Sequence, residues 1–356
     1  MTGKRRLISN ILFKTRLIRL IQLLYSHNHI VVLNYHRVRS RASYDSCDLC
    51  NFDDSLFDVD EKQFVRQMKW IKRHARILSE TDLINLLYGP TSDHQLSKYP
   101  RVVITFDDGY RDNYTIAYPV LKSLEIPAFF FVCTSMIDNR CLGGWDILAY
   151  LLKKCEKPSI TLNGKNYDLR SNQRHSLELI QTDMKAMPCE QLNEFIRSIS
   201  DICEVELPSI DLQNNELLTW KNIEDMTSHH MTIGSHTHSH SVLTGMASDQ
   251  HLKELMTSKQ ILEKRTGRPI LSMAYPFGDP LYIPDTIQET AVMCGYRLGF
   301  TSGFGINRLD AARPLALNRR ESRKEISASA GLPSLLYKIP SMLWISAYSG
   351  KAALCS

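Results

Sequence analysis

The chain has 356 residues, of which 43% are hydrophobic and 23% are charged. That balance is typical of a soluble globular protein and excludes a largely disordered chain, and the length suffices for one large α/β domain or two modest ones. The formal net charge of +5 indicates no particular partner, and we expect no nucleic-acid ligand.

A basic amphipathic segment opens the chain. Residues 1–44 carry nine Lys and Arg residues and no acid before Asp45. Apolar residues recur there at helical spacing, at Ile8, Ile11, Leu12, Ile18, Ile21 and Leu24. A helix over residues 1–29 can lie on an anionic membrane surface, or it can pack on the domain and expose its basic face. We prefer the second interpretation.

Charge placement and cysteine usage also bear on the compartment. Lys14, Arg16 and Arg19 interrupt any signal-peptide core, and no apolar run is long enough to span a bilayer. The nine cysteines are scattered and odd in number, which suits free thiols, and Cys47 and Cys50 lack a second pair at zinc-finger spacing. We therefore expect a cytoplasmic protein. If it contacts the inner face of the membrane, we expect the basic N-terminal segment to make that contact.

Strand and helix patterns alternate along the central part of the chain. Continuous apolar, β-branched runs predict strands that are buried on both faces, and helical periodicity separates them. The predicted strands are Ile30–Tyr35, Val102–Phe106, Ala128–Val132, Met231–Gly234, Leu271–Tyr275 and Arg297–Thr301. Such alternation indicates a parallel sheet, either open or closed into a barrel.

Residues 150–215 interrupt this alternation. Asn163-Gly164 lies between two strand-like arms and predicts a hairpin, and residues 172–203 are polar with helical periodicity. We therefore predict one domain over residues 30–320, with an insertion at about 150–215 and a C-terminal tail over residues 321–356.

Two acidic residues follow the clearest predicted strand, in Thr105-Phe106-Asp107-Asp108-Gly109. Adjacent carboxylates point in different directions if the strand continues, so that one can bind a metal while the other faces a substrate. Taken alone, the pair is explained equally well as a turn beside a helix N-terminus, where carboxylates are favourable in any case.

Three histidines lie within five residues after another predicted strand, in His236-Thr237-His238-Ser239-His240. His236 and His240 stand four apart, which places both imidazoles on one face if the segment is helical. Two imidazoles and one carboxylate make a three-ligand zinc site with open positions. Together with the double-Asp strand end, the cluster therefore predicts a metal site, whereas His229 and His230 fit a surface turn.

These two clusters resemble the first and second motifs of polysaccharide deacetylases of the NodB-homology type, carbohydrate esterase family four. The second motif of that family is His, Ser or Thr, two residues of any type, and His. Tyr275-Pro276-Phe277-Gly278 resembles the third motif. The resemblance runs from about Val31 to Phe300 and includes three further segments, Tyr35-His36-Arg37-Val38, Gly144-Trp145-Asp146 and Leu218-Thr219-Trp220.

The resemblance implies a deformed (β/α) barrel of about seven strands, with its site at their carboxyl ends. It implies that Asp107 is the general base and that Asp108, His236 and His240 hold a divalent metal, with Zn²⁺ the expected ion. The backbone N–H of Phe277 would help to hold the oxyanion. The residues expected to bind substrate are Tyr110, Trp145, Tyr275 and Pro276.

The implied reaction is the removal of N-acetyl or O-acetyl groups from a carbohydrate, in particular an N-acetylated sugar of a surface polysaccharide or its precursor. Hydrolysis of another acyl-sugar ester or non-peptide C–N bond is the alternative among enzymes. The alternative of another class is a catalytically weak sugar-binding protein of the same fold. The intact Asp107 argues against it, because binding alone needs no base beside the metal. A membrane-surface scaffold leaves the strand-end clusters unexplained.

Two positions depart from the family pattern. Ala274 stands where many members have an Arg that orients the base, and Arg319 stands where many have the His that acts as acid. An Arg does not release its proton near neutral pH. The acid is therefore open between His36 and His238, with a third route in which Asp107 serves in both steps.

Overall fold

The structure is a computed structural model that describes residues 28–39, 52–90, 97, 99–185, 187, 189–244, 246–278 and 283–321. The predicted amphipathic helix lies outside these residues, except for its last two positions, and so do Cys47, Cys50 and the predicted tail beyond residue 321. The domain boundaries proposed from the sequence therefore stay predictions.

Thirteen strands and eleven α-helices are found among the described residues. The strands are β1 His29–Tyr35, β2 Arg37–Arg39, β3 Phe57–Asp60, β4 Arg76–Ile77, β5 Arg101–Phe106, β6 Phe129–Val132, β7 Ser159–Leu162, β8 Lys165–Asp168, β9 Thr232–Ser235, β10 Ser272–Ala274, β11 Leu298–Phe304, β12 Asn307–Arg308 and β13 Leu317–Glu321. The helices are α1 Glu61–His74, α2 Glu80–Tyr88, α3 Tyr118–Ser123, α4 Thr134–Asn139, α5 Gly144–Lys154, α6 Gln173–Lys185, α7 Cys189–Cys203, α8 Ile210–Asn214, α9 Trp220–Ser228, α10 Ser248–Thr266 and α11 Asp285–Met293.

Seven parallel strands close into a barrel, which confirms the predicted fold class. Their order is β1-β5-β6-β9-β10-β11-β13, and β13 pairs with β1 to complete the circle. Closure depends on pairing between distant parts of the chain, such as Leu33 of β1 with Arg320 of β13. All carboxyl ends of the strands therefore meet at one end of the barrel, where sites are built in such folds.

Strands β1, β5, β6, β9 and β10 are buried along almost their whole length, as their continuous apolar sequences predict, and β11 is buried up to Thr301. Alternate residues point into the lumen or toward the helices. Phe129 and Phe131 of β6 contact Phe300 of β11, with ring centroids 5.5 Å and 5.2 Å apart, although these strands are not neighbours. These contacts cross the lumen, so the barrel is a packed core and not a pore.

Helix α2 closes the amino end of the barrel. It begins with a capping box in which Ser79 and Asp82 satisfy each other's backbone N–H groups. Its buried residues Leu83, Ile84 and Leu86 belong to the same apolar cluster as the lumen residues of β1 and β5. The opposite, carboxyl end is left for the site.

The insertion carries the predicted hairpin. Strands β7 and β8 pair in antiparallel fashion, and Asn163 and Gly164 between them have φ values of 49° and 76°. Both values are those of a two-residue type I′ turn, so the prediction from Asn163-Gly164 is confirmed. Helices α6 and α7 follow, and both apolar faces turn toward the main domain. No described helix has the length and apolarity that a membrane crossing requires.

Candidate active site

Most of the predicted site residues follow the carboxyl ends of four barrel strands, whereas Trp145 lies on α5. His36 follows β1, Asp107 follows β5 and His236 follows β9, while Phe277 lies three residues beyond the end of β10. Because these strands are parallel, residues that are far apart in the sequence meet at one end of the barrel.

Asp107 is buried and held on both carboxylate oxygens. Nη1 of Arg319 donates to Oδ1 at 2.7 Å, and Nδ2 of Asn34 donates to Oδ2 at 3.1 Å. Arg319 is itself anchored, because its Nε donates to the carbonyl of Thr301 at 2.7 Å and its Nη1 to the Oδ1 of Asn34 at 2.8 Å. The carboxylate is therefore fixed by two strands other than its own, β1 and β13.

Asp108 turns away from Asp107 toward the two histidines. Its φ of 73° is left-handed, and Gly109 with φ 76° continues the turn. Oδ1 of Asp108 lies 3.3 Å from Nε2 of His236 and 3.2 Å from Nε2 of His240. The three candidate ligand atoms all lie within 4.8 Å of one another. The two adjacent acids thus face different partners, as the sequence interpretation expected.

The segment from His236 to His240 is a turn and not a helix. The spacing of the histidines places both imidazoles on one face only if this segment is helical, so they converge for another reason. Thr237 and His240 have left-handed φ values of 64° and 59°. A carboxylate of α10, Glu254, accepts from the backbone N–H groups of His238 and Ser239 at 3.0 Å and 2.8 Å. This contact from a distant helix bends the segment so that the first and last imidazoles converge.

These residues fit a divalent cation. Nδ1–H of His236 donates to the carbonyl of Ala274 at 2.9 Å, which directs Nε2 toward Asp108. Two neutral imidazole nitrogens and one carboxylate oxygen form the donor set of a three-ligand zinc site. Asp108 and His236 are both buried, so their polar atoms are withdrawn from water and depend on one another or on an ion.

The protonation of the two acids follows from their partners. Burial is the largest single influence on the pKa of Asp107 and raises it, but Arg319 together with His236 and His36 lowers it by more, so the pKa lies below its ordinary value. Burial also raises the pKa of Asp108, but its close contacts with His236 and His240 hold that pKa well below the ordinary value. Burial lowers the pKa of His240. Near neutral pH both acids are therefore ionised and His240 is neutral.

An aromatic wall stands beside the candidate ligands. The ring of Trp145 lies 4.3 Å from the ring of His240, and the ring of Phe277 lies 5.1 Å from it. Phe277 has a left-handed φ of 49° and is 38% exposed, so it forms part of the open rim. Trp145 and Phe277 together offer an apolar surface next to the metal position.

Three of the four residues predicted to bind substrate are buried. Tyr110 donates through its hydroxyl to Oδ2 of Asp146 at 2.7 Å, and Tyr275 donates to the carbonyl of Leu315 at 2.9 Å. Pro276 is buried as well, whereas Trp145 is only half-buried. The burial of Tyr110, Tyr275 and Pro276 favours a supporting position behind the site.

The two histidines left open as acids lie in different surroundings. Nε2 of His36 is 4.0 Å from Oδ2 of Asp107, and the His36 side chain is 21% exposed at the barrel mouth. Nδ1 of His238 lies 2.9 Å from Oγ1 of Thr134 on α4, so the His238 ring is hydrogen-bonded to that helix. The structure thus brings His36, and not His238, next to the candidate base.

Sequence reasoning missed the partners of the base. From the sequence, Ala274 stood where family members have an Arg that orients the base, and Arg319 was seen only as the residue that replaces the family's catalytic His. In the structure, Arg319 itself donates to Asp107 and takes the orienting position. Asn34 was not singled out. The available signal was a polar residue inside an apolar strand, since Asn34 interrupts Ile30–Tyr35 at a lumen-facing position.

Two acids and two histidines thus meet at the carboxyl end of a closed seven-stranded (β/α) barrel, the end at which enzymes of such folds carry their active sites. A family model described as polysaccharide deacetylase matches residues 95–299, more than half of the chain. The chain therefore belongs to the polysaccharide deacetylase family.

Relatives and solved structures agree with this family. The chain is 33% identical over 135 residues to poly-beta-1,6-N-acetyl-D-glucosamine N-deacetylase of Staphylococcus aureus, a match that covers 36% of this chain and 44% of that protein. It thus spans less than half the length of that curated relative. The fold is similar to Streptococcus pyogenes deacetylase PplD, with a TM-score of 0.55, 20% identity and coverage of 87% and 99% of the two chains. It is also similar to IcaB from Ammonifex degensii, with a TM-score of 0.53, 16% identity and coverage of 86% and 97%.

Proposed function

We propose that this chain is a metal-dependent hydrolase that removes N-acetyl groups from a polymer of N-acetylglucosamine. The observation that carries the proposal is the position of an ionised, Arg-held carboxylate, Asp107, directly beside the Asp108, His236 and His240 cluster. The activity for which the Staphylococcus aureus relative is named supports β-1,6-linked N-acetylglucosamine as the sugar. Zn²⁺ is the proposed ion because its usual ligands in catalytic sites are of these types.

The residues divide the chemistry between them. Asp108, His236 and His240 would hold a divalent cation, which would supply Lewis acidity for the acetyl carbonyl and for a neighbouring water. Asp107 accepts a proton as the water oxygen attacks the acetyl carbon, and Arg319 with Asn34 keeps the carboxylate aimed at that water. The backbone N–H of Phe277 is the proposed donor to the oxyanion.

Collapse of the tetrahedral centre needs a proton on the departing nitrogen. We assign this proton to His36, whose Nε2 lies 4.0 Å from Oδ2 of Asp107 and whose side chain is partly exposed. The C–N bond then breaks, and the products are acetate and a free amine on the sugar. Trp145 and Phe277 form the apolar surface that receives the acetyl methyl group.

The direct experiment is acetate release from matched oligomers of N-acetylglucosamine, β-1,6-linked and β-1,4-linked, with added zinc and with a chelator. We expect zinc-dependent release that is faster from the β-1,6-linked oligomer. An O-acetylated sugar in the same assay separates ester from amide hydrolysis. Binding of the oligomers without acetate release would favour the alternative, a sugar-binding protein of the same fold.

A further inference from the structure

The amino end of the barrel, opposite the candidate active site, carries exposed apolar side chains. Val292 and Met293 at the end of α11 are 58% and 74% exposed, and Tyr88 at the end of α2 is 48% exposed. The Tyr88 hydroxyl donates to the carbonyl of Arg297 at 2.8 Å, and the Arg297 guanidinium lies 4.6 Å from the Tyr88 ring. These contacts join the end of α2 to the turn that leads from α11 into β11.

Basic side chains lie at the same end of the barrel. Lys264 and Arg268, at and just beyond the end of α10, are exposed, and so is Arg297. Helix α10 packs along the segment that follows α11, because the Tyr296 hydroxyl donates to the Leu255 carbonyl at 2.9 Å and Nζ of Lys259 lies 5.2 Å from the Tyr296 ring. We call Tyr88, Lys264, Arg268, Val292, Met293 and Arg297 the amino-end patch.

Acidic residues do not cancel this charge. Glu263 forms an ion pair with Lys259 at 2.9 Å, and its Oε1 also accepts from the Ile270 backbone N–H at 3.0 Å. Glu289 lies one helical turn before Met293 and is exposed. Glu80, which accepts from Ser272 and lies near Lys259, is a third acid at this end. Counting Lys259 with the three basic residues of the patch, four positive charges face three negative ones, so the patch keeps a positive balance.

The chain enters the barrel at this same end. β1 begins at His29, which pairs with Arg308, and residues 1–28 carry six Lys and Arg residues and no acid. A basic segment is repelled by a basic patch, so residues 1–28 are an unfavourable cover for the apolar side chains. A negatively charged binding partner would instead attract both the basic N-terminal segment and the amino-end patch.

We propose that the amino-end patch is a docking surface for an anionic lipid bilayer. Exposed aliphatic side chains enter the boundary between headgroups and acyl chains, Tyr side chains sit at the headgroup level, and Lys and Arg residues meet anionic headgroups. In this orientation the carboxyl end of the barrel, with Asp107, faces water on the side away from the bilayer. The docking surface is independent of the proposed deacetylation.

The test is sedimentation of the full chain with vesicles of phosphatidylcholine alone and of phosphatidylcholine mixed with phosphatidylglycerol. We expect binding to the anionic vesicles only, and weaker binding as salt rises, because screening shortens the reach of the charges. Two double variants of the patch, Lys264→Glu with Arg268→Glu and Val292→Ser with Met293→Ser, should each bind at least about tenfold more weakly.

Matched variants elsewhere on the surface serve as controls. Lys221→Glu with Lys253→Glu makes the same charge change away from the patch, and Leu207→Ser with Ile210→Ser makes the same polarity change on the insertion, where both side chains are exposed. All variants should unfold at the same temperature as the parent chain, and the controls should bind as it does. The proposal is overturned if the parent ignores anionic vesicles, or if the patch variants bind as well as the controls.

Two further outcomes also overturn it. If only a full-chain variant with Lys14→Glu, Arg16→Glu and Arg19→Glu loses vesicle binding, the N-terminal segment acts alone. If Val292→Ser with Met293→Ser converts a dimer to a monomer in solution, a second copy of the chain covers the patch. Acetate release from a soluble oligomer stays unchanged in every patch variant, which separates a failure of docking from a failure of the proposed function.

Discussion

The carboxylate of Asp107 depends on a positive charge that comes from 212 positions further along the chain. Arg319 reaches it from β13, and the pair is almost completely buried, with 3% of each side chain exposed. Such a pair is costly to break, because removing one partner leaves an uncompensated charge in the interior. Arg319 is therefore a positioning residue that also sets the charge state of the base.

Replacing Arg319 by Gln should lower acetate release and move its pH dependence. Without the positive charge, burial dominates and the pKa of Asp107 rises. The base then needs a higher pH to ionise, so the acidic limb of the rate profile shifts upward, and kcat/KM at pH 6 falls at least about tenfold. Arg308→Gln, an exposed change on β12, should leave the limb in place. An unmoved acidic limb in Arg319→Gln would contradict the assignment.

The identity of the acid is tested by a pair of histidine variants. His36→Gln should lose the basic limb of the profile and at least about tenfold in rate, because the leaving nitrogen no longer receives its proton. His238→Gln is the matched change, and its ring contacts Thr134 and not Asp107. It should keep both limb and rate. If both variants keep the limb, Asp107 serves in both steps and His36 is not the acid.

At this scale the sequence motifs predicted which acids and histidines meet, but not what holds them. Asp107, Asp108, His236 and His240 were recognisable because each lies within a short local pattern. The partners Asn34 and Arg319 lie on strands that become neighbours of β5 or of each other only when the barrel closes. No local spacing relates them to Asp107, so they became visible only in the folded chain.

At the scale of the elements, the first turn of helix α5 takes part in a buried polar network next to Trp145. Asp146 in its first turn is completely buried and accepts from Tyr110, and Nε1 of Trp145 donates to the same Tyr110 hydroxyl at 2.9 Å. Arg37 lies 3.7 Å from Asp146. Burial, partly offset by Arg37, raises the pKa of Asp146 from 3.8 to about 6. The network thus couples a titrating carboxyl to the residue that packs on His240.

The pKa of Asp146 predicts a pH dependence of stability. A folded-state pKa above the unfolded value means that the folded chain holds the proton more tightly. Its contribution is fully present below about pH 4, is lost as pH rises toward 6, and is constant above about pH 7. The free energy of unfolding of the parent minus that of Asp146→Asn should therefore fall between pH 4.5 and 7, by at most about 1.4 kcal/mol per pH unit.

Urea unfolding of both chains at several pH values measures this difference. Asp249→Asn changes an exposed carboxyl at the start of α10 and serves as the control. It should show a flat difference over the same range. A difference for Asp146→Asn that is flat, or that rises with pH, would show that Asp146 is ionised throughout.

The elements themselves were predictable where local sequence decides them. Continuous apolar runs predicted six of the seven barrel strands, five of them to within one residue at each end, and Asn163-Gly164 predicted the hairpin. Strand β11 runs three residues beyond its predicted end at Thr301, and β13 was not predicted. The segment after β9 was not predictable, because its path depends on Glu254 of α10 and not on its own spacing. The π-helical turn Asn113–Ala117 before α3 likewise has no local signal.

For the whole molecule, strand and helix alternation alone left an open sheet and a closed barrel as equal choices. Closure requires β1 to pair with both β5 and β13, and the Leu33–Arg320 pair spans 287 positions. Closure brings the base, its partners and the candidate metal ligands to one end, and α2 seals the other. The division into a working end and a closed end is therefore a property of the complete barrel.

The central claim is that Asp107 acts as base beside a metal that it does not itself bind. Metal content and acetate release, measured on the same zinc-loaded preparations of the parent chain and of Asp107→Asn, test this claim most directly. The account predicts about one zinc per chain in both, with acetate release per bound zinc at least about a hundredfold lower in Asp107→Asn. Release within threefold of the parent at equal zinc content would contradict it, and so would loss of zinc from Asp107→Asn.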